Sequence, residues 1–80
     1  MFLHIGKELI INEKSILGIF DVNSIKDNKE FQNLIKNLEE KNSIFFVDET
    51  EKKSFILVED IGVKGYFSSI SSVSLSKRLL

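Results

Sequence analysis

The chain has no cysteine. Disulfides and thiolate zinc sites are therefore excluded, and the composition fits a reducing compartment. It has no proline, so its turns must be made by Gly, Asn, Asp and Ser. It has no excess of either charge: eleven Lys and Arg stand against twelve Asp and Glu, a net charge of −1. That balance argues against strong non-specific nucleic-acid binding through bulk charge, but it allows a local basic patch repeated in an oligomer. No apolar run approaches the roughly 18 residues that span a bilayer. The opening MFLHIGKELI has no basic segment ahead of its apolar residues, unlike a signal peptide.

What is present is enough to fold. Eighty residues, 42% of them hydrophobic, make one domain with a small core, a size that gains from a partner subunit. The organising stretch runs from Ser54 to Leu80. Phe55, Ile56, Leu57 and Val58 are apolar at both parities, which predicts a central strand covered on both faces. Glu59 and Asp60 follow, then Ile61-Gly62 as a turn, then a second apolar run from Val63 to Phe67. Two such runs about a Gly-containing turn read as a hairpin, with Leu57 and Phe67 in the core. Ser71 or Ser72 can cap a short helix carrying Val73, Leu75 and Leu79, with Lys77 and Arg78 in its last turn.

Three strands are expected at the start: Phe2 to Ile5, Leu9 to Ile11, and Ser15 to Phe20. Short connections favour antiparallel pairing. Gly18 would admit a neighbouring backbone or a bulky ring. Asp21 to Ser24 reads as a polar exit. Asp27 to Lys41 predicts a helix, because Phe31, Leu34, Ile35 and Leu38 form one apolar stripe. Asp27 is the expected cap, with Glu30 at capping-box spacing, and Asn42 the left-handed end. Ile44 to Val47 reads as a strand, and the charged run Asp48 to Lys53 as an exposed loop. The fold class is α+β: a small, mostly antiparallel sheet, one amphipathic helix and a short C-terminal helix.

Enzyme chemistry finds little support. His4 is the sole histidine and sits in an apolar strand, where a hydrogen-bonded structural role is the ordinary reading. The acids Glu39-Glu40, Asp48-Glu49-Glu51 and Glu59-Asp60 read as solvated charge. The six serines between Ser68 and Ser76 include no nucleophile elbow, and Gly62 and Gly65 form no phosphate-binding loop. No cofactor, metal, membrane or small-molecule substrate is implied. Lys14, Lys52-Lys53 and Lys77-Arg78 are the basic positions. They serve solubility, or else an oligomer gathers them on one phosphate-binding surface.

The opening MFLHIG, the segment SILGIFD, and KSFILV followed by YFSSISSVSLSKR resemble the bacterial extracellular matrix regulatory proteins, most closely the type B member. The resemblance covers both ends in letters and residues 22–51 in pattern. It implies a cytoplasmic protein of Gram-positive bacteria. The family's type A member is a DNA-binding transcriptional regulator of biofilm matrix genes that assembles into a ring. Its DNA contacts come from arginines before the third strand and in the loop before the central strand. The matching positions here are Lys14 and Ser15, then Lys52 and Lys53. Arg78 stands where the family has an arginine in the terminal helix. Lysine neutralises phosphate but lacks arginine's bidentate fork, so sequence-specific recognition is weakened more than phosphate binding. Two readings follow: a regulator that binds double-stranded DNA as a homo-oligomer, or a structural or protein-interaction module without direct DNA binding.

Overall fold

The computed structural model describes residues 1–79. In chain order it contains β1 (Phe2–Gly6), β2 (Leu9–Asn12), β3 (Ile16–Asp21), α1 (Val22–Ile25), α2 (Lys29–Glu40), β4 (Ile44–Phe46), β5 (Ser54–Glu59), β6 (Val63–Ser68) and α3 (Ser72–Arg78). A 3-10 turn, Glu13–Ser15, joins β2 to β3. The class is α+β.

β5 is central. The four-stranded sheet has the order β3-β5-β6-β4, and β1 pairs with β2 in a separate two-stranded sheet. Side chains alternate across β5 as the strand period requires. Phe55 points to one core cluster with Leu38 and Phe67, against which Phe31, Leu34 and Ile35 of α2 pack. Ile56 and Val58 point to the other cluster, with Leu3, Ile5 and Ile11 of the β1–β2 hairpin and Leu75 of α3. Both faces of the sheet are therefore covered, which is why β5 is apolar at both parities. Phe67 is buried as expected; Leu57 is only half-buried, and the neighbouring Phe55 and Ile56 are the fully buried apolar residues of β5.

The β5–β6 hairpin turns through Ile61 at φ 52° and Gly62 at φ 104°. β5 and β6 are antiparallel with Phe55 opposite Phe67. Gly65 is required here: a Cβ on it would overlap the Phe55 ring. β4 joins β6 in parallel, the one parallel pair among the described strands. β3 is antiparallel as expected, but its partner is β5 rather than β2. A bulge leaves Leu17 unpaired between the pairs Ile16–Val58 and Gly18–Leu57. The bulge puts Ile16 and Ile19 on the same face, where both join the hairpin-side cluster. Gly18 does face a bulky ring, that of Phe20 on its own strand.

Helix starts differ in detail from the sequence expectation. The α2 cap is Asn28, not Asp27: the Asn28 side chain accepts from the Phe31 amide at 2.8 Å. Asn28 is one residue nearer the apolar stripe, so the first buried turn is capped without an extra residue. Asn42 adopts the expected left-handed conformation, φ 56°. The expected polar exit Asp21–Ser24 instead leads into a helical turn, α1 (Val22–Ile25), whose Val22 packs on the Phe55 cluster. Ser71 caps α3 by accepting from the Ser74 amide at 3.1 Å. Of the expected apolar residues of α3, Leu75 is buried while Val73 and Leu79 stay exposed. Among the described residues no helix is long and apolar enough to cross a membrane.

Candidate nucleic-acid interface

Lys52 and Lys53 lie in the irregular segment between β4 and β5, and that segment is fixed. Asp48, at its start, accepts hydrogen bonds from the Ser69 hydroxyl at 2.5 Å, the Thr50 hydroxyl at 2.6 Å and the Thr50 amide at 3.1 Å. The Ser69 and Thr50 hydroxyls hold the Asp48 carboxyl at about 2, below its usual 3.8. Asp48 is therefore an anchor, not the solvated charge expected from its acidic neighbours. The signal for it was its spacing to Thr50, which allows an Asx turn. At the other end the Lys53 amide donates to the Ser68 carbonyl at 2.9 Å, and the Lys53 carbonyl accepts from the Val22 amide at 3.0 Å.

The two lysines face different surroundings. Lys52 Nζ lies 5.5 Å from the Phe46 ring centroid and 5.4 Å from that of Phe67. Its charge sits over π faces, an attraction of about 0.5–1 kcal/mol at an exposed site. Lys53 Nζ is 3.6 Å from Glu51 Oε1 in an exposed ion pair. Such pairs contribute about 0–1 kcal/mol, so Lys53 exchanges partners readily.

Lys14 and Ser15 belong to the 3-10 turn before β3. Asn12 Oδ1 accepts from the Lys14 amide at 3.0 Å and leaves the Lys14 side chain exposed. Ser15 is half-buried and lines a cavity of about 250 Å³ with Phe2, Ile10, Asp60, Lys64 and Tyr66. The strand register separates these positions from the other pair. Ile16 lies opposite Val58 and Asp21 opposite Ser54, so Lys14-Ser15 sit at the far end of β5 from Lys52-Lys53. Six residues of strand separate the ends by about 20 Å. One chain does not bring the two basic sites together.

Arg78 is placed elsewhere again. Its Nη1 donates to the His4 carbonyl at 2.8 Å, which ties the last turn of α3 to β1. The guanidinium keeps further N–H groups for another ligand. The His4 ring is hydrogen-bonded to the Lys7 carbonyl, the structural role expected for it.

A groove missed in the sequence lies beside Lys52. It holds about 260 Å³, with Val22, Phe31, Ile35 and Phe67 as its floor and Lys26 and Lys52 at its edge. Gln32 also lines it and donates from Nε2 to the Lys26 carbonyl at 3.0 Å. No periodicity marks Lys26, because it falls in the turn between α1 and α2.

A family model described as extracellular matrix regulatory protein A-like matches residues 2–79. No curated protein sequence matches the chain.

Proposed function

Because the chain belongs to the extracellular matrix regulatory protein A-like family, a regulatory rather than an enzymatic family, we propose that it is a DNA-binding transcriptional regulator. It acts in the cytoplasm as a homo-oligomer and controls matrix genes. Lys14, Ser15, Lys52, Lys53 and Arg78 contact the phosphate backbone of double-stranded DNA. The observation that carries this reading is the rigid Asp48–Lys53 segment, tied at both ends, which presents two cations ahead of the central strand. A loop held on a rigid scaffold is well placed to bind a ligand. Two lysines per subunit bind weakly alone, but an oligomer repeats them, and multivalency raises affinity without new contacts. Phe2, Ile10, Leu17, Phe46, Ile61 and Val73 are each more than half exposed, which supports assembly. The serine-rich end leading to Lys77-Arg78 favours the type B member as the nearer relative.

The same exposed apolar side chains, with a net charge of −1, also favour a second reading: an interaction module whose partner is a protein. A mobility-shift series on duplex DNA separates the two. The regulator binds at low salt and loses affinity steeply as salt rises. Absence of binding at low salt leaves the interaction module.

A further inference from the structure

Ile61 is the most anomalous residue of the surface. It is a bulky β-branched side chain at φ 52°, a backbone region that such residues rarely occupy. It is 99% exposed, so no side-chain packing among the described residues compensates for that conformation. The turn is nevertheless ordered, with the Asp60 amide donating to the Gly62 carbonyl at 2.9 Å. Glu59 and Asp60 precede it and are both exposed. The hairpin tip is thus an apolar knob beside two carboxylates.

The groove under α2 has the complementary character. Its floor is apolar, its edge carries the ammonium groups of Lys26 and Lys52, and among the described residues no acidic side chain lines it. We propose that the Ile61 tip of one copy seats in the α2 groove of a second copy, with Glu59 and Asp60 facing Lys26 and Lys52. This rests on the homo-oligomer reading above. A second copy fits better than a foreign partner because one chain supplies both halves, both apolar at the centre and opposite in charge at the edge. β5 begins beside the groove at Phe55 and ends at the tip, so the two halves lie at opposite ends of the sheet. The contact is head to tail, and such contacts close into rings or grow into filaments. It also has a consequence for the basic sites. Lys14 and Ser15, at the tip end of one copy, come to lie near Lys52 and Lys53 of the next. The two sites that one chain holds apart become neighbours across the contact. Lys52 then lies at the seam, within reach of both the second copy's carboxylates and the phosphate backbone, and Lys53 stands outside the groove.

The absence of cysteine makes the test direct. Full-length Ile61→Cys and Gln32→Cys chains are mixed and treated with a short bismaleimide. Cross-linked dimers are expected from the mixture and not from either chain alone. Ile61→Asn removes the knob but keeps a residue that tolerates the left-handed turn. In sedimentation it should weaken assembly roughly tenfold or more. Lys26→Glu should weaken it too, and mixing that chain with Asp60→Lys should restore it. A parent that stays monomeric at high concentration overturns the oligomer reading and this contact together. An assembling parent, with an Ile61→Asn variant that assembles as tightly and no mixed cross-link, overturns the contact alone. Cross-linking of Ile61→Cys to itself points to a tip-to-tip interface and also overturns it.

Discussion

The Ser69 hydroxyl donates to the Asp48 carboxylate at 2.5 Å, joining the start of the β4–β5 segment to the exit of β6. With the Thr50 hydroxyl it holds the Asp48 carboxyl at about 2, against 3.8 for an unperturbed group. A lowered value means that the ionised form is favoured by folding. The stability from this anchor is therefore fully present above pH 3.8 and is lost as pH falls through about 2. Asp48→Asn should lower the urea midpoint at neutral pH, and its deficit against the parent should shrink across that acid window. A deficit that stays constant down to pH 2 would show that ionisation of Asp48 is not what holds the segment.

The core offers a sharper mechanical test. The Phe55 ring is fully buried, edge-on to Phe31 at 5.2 Å and tilted against Phe67 at 4.9 Å. It lies across Gly65, where a Cβ would overlap it and would come within 3.2 Å of Ile44 Cδ1. Gly65→Ala should therefore cost about 1–3 kcal/mol by overpacking. Phe55→Ala should cost about 3–5 kcal/mol by leaving a cavity. Chemical denaturation measures both. If Gly65→Ala leaves the midpoint unchanged, the Phe55 ring does not occupy this place in solution.

These two cases differ in how far the sequence reveals them. The run Phe55–Val58 announces a two-faced strand because its composition is independent of register. The α2 stripe is equally plain, because its period is local. Asp48 is legible only in its local half: the spacing to Thr50 allows an Asx turn, but its partner Ser69 is 21 residues away and neighbouring charges mask it. Arg78 is harder still, since it binds a carbonyl 74 residues earlier. The bulge at Leu17 and the separation of the β1–β2 hairpin from the main sheet depend on which faces find partners. Strand length and spacing carry no record of that choice. The groove is illegible for the same reason, because α1, α2 and β6 each contribute only part of it.

Ser68 shows how the second layer is fastened. It is fully buried, donates to the Ile5 carbonyl at 2.6 Å and accepts from the Ile70 amide at 3.0 Å. Ser68→Ala leaves the buried Ile5 carbonyl without this donor and should cost about 1–3 kcal/mol. Amide exchange should rise more in β1 and β2 than in β5, because the hydroxyl links the hairpin to the sheet. Equal increases in all three strands would mean that the loss is global, with no specific loosening of the hairpin.

Lys53 and Glu51 give the most direct test of DNA binding. Lys53 lies outside the α2 groove, so it can be changed without touching the proposed contact between copies. Its ammonium is 3.6 Å from the Glu51 carboxylate, and both are exposed. In the free protein Glu51 partly neutralises the cation; near DNA it also repels phosphate. Lys53→Ala should therefore weaken duplex binding, and Glu51→Gln should strengthen it. Neither change should alter the assembly state. Each phosphate contact contributes a slope of about −0.9 to the dependence of log affinity on log salt. Lys53→Ala should flatten that slope in proportion to the number of subunits that touch the duplex. A Glu51→Gln variant that binds no tighter, together with a Lys53→Ala variant of unchanged slope, would place the DNA surface elsewhere on the molecule.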